Sequence, residues 1–139
     1  MEHSYPSPMM LAARTSPGSL WTGRVLTGLT VAFLLLDAGV KLVPIAPAIE
    51  ATIKLGFDAG VVRPLGIILA VSTLLHLNAR TGLLGAVLVS AYLGGATAIQ
   101  VRAGGAFWFP IAVGVLFWTA YILRDAPLRA LLLSTRHSR

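Results

Sequence analysis

The chain has 139 residues, of which 56% are hydrophobic and 12% charged, and its mean hydropathy of +0.81 excludes an ordinary soluble domain. The net charge of +6 comes from basic residues gathered between long apolar runs, which argues against nucleic-acid binding. Because the chain has no cysteine, it cannot by itself form disulfides, Fe–S clusters or thiolate zinc sites.

The first predicted element is a tail. Residues 1–19 contain prolines, a glycine and several hydroxyl residues without an apolar period, which is typical of a disordered segment. Residues 20–43 are apolar apart from three charged side chains and begin near Trp21, a residue type that anchors helices at the membrane interface. Because hydrocarbon offers the backbone no hydrogen-bond partner, this run is predicted to be the first membrane-spanning helix.

Two prolines end this helix, and the following stretch mixes charged residues with Ile49, Ile53 and Phe57. These three apolar residues recur at every fourth position, which favours a short amphipathic helix on the bilayer surface. The alternative is a loop whose apolar spacing arises by chance. We therefore expect a surface helix or a loop within residues 48–60.

Three further apolar runs follow, and they are predicted to be the second, third and fourth membrane-spanning helices: residues 61–77, 82–101 and 108–123. The second and fourth spans carry Pro64 and Pro110 in their first turns, where a helix tolerates proline. The short turn at residues 78–81 requires the second and third spans to run antiparallel to each other. The sequence thus predicts an all-α, polytopic membrane protein, a bundle of four antiparallel transmembrane helices over residues 20–123.

The numbers of basic residues on the two sides of the membrane predict its orientation. Seven lie on the side of the termini, and they are Arg14, Arg24, Arg80, Arg124, Arg129, Arg136 and Arg139. Four lie on the opposite side, and they are Lys41, Lys54, Arg63 and Arg102. We therefore expect a bacterial inner-membrane protein with both termini in the cytoplasm, including the basic tail at residues 124–139.

A secretory signal peptide is the alternative interpretation of the N-terminal region. It would cover residues 14–48, with an apolar core at 25–36 and the sequence A-P-A as its cleavage site. Asp37 and Lys41 lie between that core and that site, which is unusual, and cleavage would leave only three helices. The four-span interpretation fits better.

Charged and polar residues near one end of the first and third spans form the candidate site. Asp37 and Lys41 lie on one face of the first helix, and the third helix brings Gln100 and Arg102 to the same level. Ionisable groups at membrane depth usually pair or mark a functional path. We expect an outward-facing polar pocket in which Asp37 pairs with Arg102, or alternatively with Lys41; a purely structural contact is the simpler explanation.

Two other side chains have candidate roles. Tyr92, in the middle of the third span, can donate a hydrogen bond to a quinone headgroup or simply to a neighbouring group. His76 can move protons or bind a metal, but no second ligand is near it in the sequence, so an interfacial histidine is expected. We therefore predict no metal site and no intrinsic cofactor, and a quinone is the one candidate ligand.

Small residues form the clearest pattern of the third span, at every fourth position; they are Gly82, Ala86, Ser90, Gly94 and Ala98, with Ala91 and Gly95 beside them. Such a strip lets a neighbouring helix backbone approach closely within lipid. The neighbour is either another helix of the same chain or a second copy of the chain.

The run R-T-G-L-L-G-A-V-L-V-S-A-Y-L-G-G-A-T-A-I-Q-V-R at residues 80–102 resembles the most recognisable segment of the DoxX-like family of small four-helix membrane proteins. Three shorter matches support the resemblance: D-A-G-V-K-L at 37–42, R-P-L-G at 63–66 and F-P-I-A-V-G at 109–114. The resemblance extends from the first span to about Arg129.

The resemblance implies a four-helix bundle and, for some relatives, a subunit of a thiosulfate:quinone oxidoreductase or of another membrane-associated redox complex. This chain has Leu69 where relatives often carry a glutamate, and Gln100 where they often carry a histidine. Both differences remove titratable groups, which argues against proton-coupled redox chemistry in this chain.

We therefore expect a non-catalytic membrane subunit or a small membrane-stability protein. The alternative is a quinone-linked oxidoreductase subunit; a small-molecule transporter is disfavoured because the four short spans show no inverted repeat. The expected partners are the lipid bilayer and either a membrane or redox subunit or a second copy of the chain, with no nucleic acid.

Overall fold

The computed structural model describes residues 17–43 and 45–129, which are helical almost throughout. The helices are α1 (Pro17–Leu42), α2 (Ala46–Lys54), α3 (Val62–Leu77), α4 (Gly82–Arg102) and α5 (Trp108–Arg124). Within the described ranges there is no β-strand, so the expected all-α class is confirmed. The predicted tails fall mainly on residues 1–16 and 130–139, which lie outside the described residues.

Three segments are long and apolar enough to cross a membrane, and they are Leu20–Leu42, Ala59–Leu77 and Gly82–Arg102. A fourth apolar helix, α5, is shorter, with 17 residues. Only 28–33% of the most apolar window of each long segment is buried inside the protein. Large apolar side chains such as Leu29, Ile68 and Val87 are exposed on the outer faces, which is typical of helices surrounded by lipid.

Hydroxyl side chains within the helices satisfy their own hydrogen-bonding capacity. Each donates to the carbonyl oxygen four residues earlier, at 2.6–2.9 Å; they are Thr22, Thr27, Thr52, Ser72, Thr73, Ser90 and Thr97. This arrangement places polar residues in an apolar helix without leaving an unpaired donor in hydrocarbon.

The segment between α1 and α3 contains the predicted amphipathic helix. α2 begins after Ile45, with a proline in its first turn, and ends at Lys54, so the presence of a helix is confirmed. Phe57 lies beyond its end, so only Ile49 and Ile53 of the expected apolar face belong to it. A 3-10 turn, Ala59–Val61, then leads into α3, and the Asp58 carboxylate accepts a hydrogen bond from the Gly60 N–H at 2.7 Å. The location of α2 on a bilayer surface stays a prediction.

Glycines with left-handed backbone conformations follow two of the helices. Gly56 has φ +87° just after α2, and Gly104 has φ +67° just after α4. A side chain is strained in this region, so glycine is the residue that lets the chain leave each helix in these directions.

The chain divides into two compact units, one containing residues 29–116 and the other residues 17–28 and 117–129 of the described chain. In the first unit, a Cβ added at Gly66 of α3 would lie 3.0 Å from the Ala38 carbonyl oxygen of α1. A Cβ at Gly85 of α4 would lie 2.6 Å from the Cα of His76 in α3. Glycine therefore allows α3 to pack closely against both of its neighbours.

The second unit contains the beginning of α1 and the end of α5. A Cβ added at Gly23 would lie 2.9 Å from the Leu123 Cβ, so these two helices also meet at a glycine. Phe117 and Ala120 are buried here, and the Trp118 ring lies 5.9 Å from the ring of Tyr121. This end of α5 therefore packs through aromatic residues.

Candidate functional site

A pocket of about 360 Å³ lies within the unit formed by residues 29–116. Its walls come from α1, α4, α5, the start of α3 and the segment from α2 to Phe57, and most of them are apolar. Ligand pockets in proteins typically have volumes of about 300–1,000 Å³, so this one is large enough for a small ligand.

One face of α1 supplies three chemically different groups to this pocket. Phe33, Asp37 and Lys41 are spaced four residues apart, and all three line the pocket. They place an aromatic ring, a carboxylate and an ammonium group in that order along the helix.

The carboxylate of Asp37 and the ammonium of Lys41 form an ion pair, with Oδ2 and Nζ 2.5 Å apart. The side chain of Lys41 is 19% exposed and that of Asp37 is 37% exposed. The expected pairing of Asp37 with Arg102 is therefore wrong, and the alternative partner on its own helix is the one observed. The physical reason is proximity: residues four apart on a helix lie side by side, and no rearrangement between helices is required.

The facing wall comes from α4, where Tyr92, Ala96 and Gln100 are also spaced four residues apart and line the pocket. In the described chain, the side chains of Tyr92 and Gln100 form no hydrogen bond. Gly95 lines the same wall, and a Cβ added there would have no atom within 4 Å. Small residues on this face of α4 therefore leave the space that the pocket occupies.

Aromatic side chains complete the pocket, and the sequence analysis did not identify them. The rings of Phe33 and Phe109 lie edge to face with their centroids 5.7 Å apart, and Phe57 contributes a third ring. Phe33 lies four residues before Asp37, and this spacing could have identified Phe33 as part of the same helical face. The contributions of Phe57 and Phe109 depend on how the loops fold, which no local pattern reveals.

Arg102 lies apart from this pocket. It is exposed at the end of α4, and its Nη2 atom is 3.9 Å from the place where a Cβ of Gly56 would lie. The structure thus brings Asp37, Lys41, Gln100 and Tyr92 together but leaves Arg102 beside the loop after α2. A binding role for this set of residues stays a prediction.

His76 is buried within the described chain, and its expected location at the membrane interface stays a prediction. Its side chain is only 2% exposed, and its Nδ1 atom lies 3.1 Å from the carbonyl oxygen of Gly82. Because a carbonyl oxygen only accepts, Nδ1 must carry the hydrogen. His76 therefore links α3 to the start of α4. Among the described residues, no cluster of three or more histidine, aspartate or glutamate side chains could hold a metal.

The strip of small residues on α4 has two different environments. Gly82 and Ala86 are buried against α3, and Ser90 is half-buried. Gly94 and Ala98 are exposed, and a Cβ at Gly94 would meet no atom within 4 Å. Only the first half of the strip therefore packs within the chain.

Comparison with known proteins identifies the family. A sequence model of the DoxX-like family matches residues 25–121, which is more than half of the chain and extends from within α1 to within α5. No curated protein and no solved structure matches the chain. The resemblance noted from residues 80–102 and the three shorter motifs is confirmed by this match, and the chain belongs to the DoxX-like family.

Proposed function

We propose that this chain is a four-span protein of the bacterial inner membrane that acts as a non-catalytic subunit or a small membrane-stability protein. The observation that carries this proposal is the apolar surface of the helices, which requires surrounding lipid. Their outer faces expose large apolar side chains, while their inner faces pack at glycines.

Contacts within the unit of residues 29–116 support an antiparallel bundle. The end of α1 meets the start of α3 at Gly66, and the end of α3 meets the start of α4 at Gly85. Further along, Leu93 of α4 lies 3.7 Å from a Cβ built on Gly114 of α5. These three contacts support the proposal that each spanning helix runs back beside the one before it, as in an up-and-down bundle.

The charges at the pocket favour a non-catalytic role. The carboxylate of Asp37 is in contact with an ammonium group, so it is engaged in a structural ion pair rather than placed alone beside a substrate. The family match shows that the chain belongs to the DoxX-like family, but it assigns no reaction to the chain.

Purification in a mild detergent, followed by identification of co-purifying proteins, tests this proposal. A subunit should retain a membrane partner in stoichiometric amount, whereas a membrane-stability protein should purify without one and its deletion should make cells sensitive to detergent. Enzymatic turnover by the purified chain alone would contradict both forms of the proposal.

A quinone-linked oxidoreductase subunit is the second candidate. It is favoured by the free hydroxyl of Tyr92 in a pocket that also contains aromatic rings, because a quinone carbonyl can accept that hydrogen bond. This candidate predicts that quinone co-purifies with the chain and that Tyr92→Phe lowers the bound amount. Retention of the full amount in the variant would count against it.

A further inference from the structure

We infer that the pocket beside Asp37 and Lys41 binds the headgroup of a zwitterionic phospholipid, with the phosphate near Lys41 and the ammonium near Asp37. This inference rests on the proposed membrane location and names a ligand for the pocket. It follows from the charge, position and size of the pocket.

The charges of the pocket walls sum to zero. Asp37 and Lys41 line the pocket together and neutralise each other. An anionic ligand would bind Lys41 but would be repelled by Asp37, and a cationic ligand would have the opposite difficulty. A molecule that carries both charges can contact both groups and replace one intramolecular ion pair with two intermolecular ones.

The position of the pair fits the headgroup layer of a bilayer. Asp37 and Lys41 lie in the last two turns of α1, and Thr52 and Leu55 from the α2 segment line the same pocket. Phe33 lies eight residues before Lys41, which corresponds to about 12 Å along the helix at 1.5 Å per residue. Along α1, the charged pair therefore lies near the end of the helix, and Phe33 lies farther from that end, where its ring meets Phe109. The pocket thus has both charged and aromatic walls, as an amphiphile requires.

Two polar side chains of the pocket wall indicate what else the ligand would contact. The hydroxyl of Tyr92 and the amide of Gln100 line the pocket and form no hydrogen bond within the described chain. The ester and glycerol oxygens of a phospholipid are acceptors for such donors.

The volume restricts how much of the lipid enters. A pocket of about 360 Å³ holds a headgroup and glycerol, whereas two acyl chains must remain outside it. The chains would then lie along the exposed apolar faces of the helices, where lipid is expected in any case.

Thermal melting of the purified full-length chain in detergent tests the inference. The probes are phosphatidylethanolamine, phosphatidylglycerol, diacylglycerol, soluble phosphoethanolamine and a short-chain quinone, each at equal concentration. We expect phosphatidylethanolamine to raise the melting temperature most, because a ligand that binds only the folded state stabilises it. If soluble phosphoethanolamine stabilises the chain and phosphatidylethanolamine does not, the pocket binds the free headgroup compound. That result overturns the lipid assignment.

Charge variants test the assignment of phosphate to Lys41 and ammonium to Asp37. Asp37→Asn leaves an unpaired ammonium group, so binding should shift toward phosphatidylglycerol. Lys41→Gln leaves an unpaired carboxylate, which repels an anionic lipid. Phosphatidylglycerol should therefore bind Lys41→Gln at least about tenfold more weakly than it binds Asp37→Asn, which is the loss expected for one charged hydrogen bond. Identical lipid preferences in both variants would overturn the inference.

Two neighbouring glycines provide a matched pair of pocket variants. Gly95 lines the pocket and Gly94 does not, yet a Cβ at either position meets no atom within 4 Å. Gly95→Leu should therefore abolish the stabilisation by phosphatidylethanolamine, while Gly94→Leu should retain it. An equal response of both variants would show that the lipid acts on the outer surface and not in the pocket.

The remaining outcomes separate this inference from the proposed function. Equal stabilisation by all lipids, or stabilisation by the quinone alone, overturns the inference while the membrane proposal stands. Release of the chain from membranes by alkaline carbonate overturns the membrane proposal itself.

Discussion

Asp37 and Lys41 show how a charged pair is accommodated in an otherwise apolar helix. The two side chains lie one helical turn apart, and their contact shields each charge from the apolar residues of the pocket wall. The long stem of Lys41 contributes to the same wall, so the residue has both a packing and an electrostatic role.

A double-mutant cycle measures this contact. Asp37→Ala and Lys41→Ala should couple by about 0.2–1 kcal/mol in the free energy of unfolding, because exposed and half-exposed pairs fall in this range. Arg102→Ala is the control, since its effect should add to that of Asp37→Ala within about 0.5 kcal/mol. A larger coupling between Asp37 and Arg102 than between Asp37 and Lys41 would restore the pairing that the sequence suggested.

His76 is the second residue whose buried hydrogen bond a substitution can test. Its Nδ1–H donates to the Gly82 carbonyl at a buried position, so His76→Leu should lower the free energy of unfolding by about 1–3 kcal/mol. Asparagine places an amide N–H close to the position of Nδ1, so His76→Asn should be less destabilising than His76→Leu despite its smaller volume. The measurement is denaturant unfolding in mixed micelles, and a more stable leucine variant would show that the hydrogen bond is unimportant.

The sequence identified most of the polar residues that line the candidate site, but it did not identify all of the contacts that they make. Asp37, Lys41, Tyr92 and Gln100 were selected because polar groups are rare in apolar runs, and the pocket contains all four. The wrong partner for Asp37 has a simple origin, since sequence places Arg102 at the right level along α4 but does not give the direction of its side chain. In the structure, that side chain lies beside Gly56.

At the scale of elements, the contact between α3 and α4 is governed by small residues. Gly82 and Ala86 belong to the strip recognised in the sequence, and both are buried. The closest approach, however, is at Gly85, which lies outside that strip. A four-residue repeat predicts that a helix has a packing face, but the rotation of the facing helix decides which residue makes the tightest contact.

Alanine substitutions at two glycines of α4 test this account. Gly85→Ala should destabilise the chain by about 1–3 kcal/mol, because its Cβ would lie 2.6 Å from the His76 Cα, a backbone atom that cannot move independently. Gly94→Ala is the matched control and should be neutral or stabilising by up to about 1 kcal/mol, since its Cβ meets no atom. Equal effects in thermal melts would mean that the two helices do not meet at Gly85.

The boundaries of the elements followed from proline and glycine chemistry. α3 and α5 begin two residues before Pro64 and Pro110, and α4 ends just before Gly104 with its positive φ. The start of α1 at Pro17 was less predictable, because the residues that precede Trp21 lack an apolar period. The composition predicts residues 17–19 as part of the tail, whereas α1 already begins at Pro17, because a first helical turn also tolerates proline.

At the scale of the whole molecule, composition was sufficient for the fold class. Long apolar runs separated by charged turns leave few alternatives to a helical membrane protein, and the structure and the family match agree with this. The pocket could not be predicted in the same way, since it requires side chains from several elements that are distant in sequence. Apolar composition determines that helices associate but says little about the space left between them.

The number of spans depends on α5. With 17 residues and a rise of 1.5 Å per residue, it is about 26 Å long, slightly less than the roughly 30 Å of a typical hydrocarbon core. Such a helix can still cross if it lies nearly along the bilayer normal or if the bilayer thins locally. A chain with three spans and a chain with four spans therefore place the residues after Arg124 on opposite sides of the membrane.

Single-cysteine variants resolve this question, because the natural chain has no cysteine that would react in the background. All four labelled positions are exposed. Ala79 and Ala103 lie in the segments that follow α3 and α4, Glu50 lies on α2, and Ala126 lies in a short helical stretch after α5. In intact cells, a membrane-impermeant maleimide should label Glu50→Cys and Ala103→Cys, because the smaller number of basic residues lies on that side. Ala79→Cys and Ala126→Cys should react only after permeabilisation, with Ala79→Cys as the matched control for a cytoplasmic turn. Labelling of Ala126→Cys in intact cells, with Ala79→Cys still protected, would mean that α5 does not cross and that the chain has three spans.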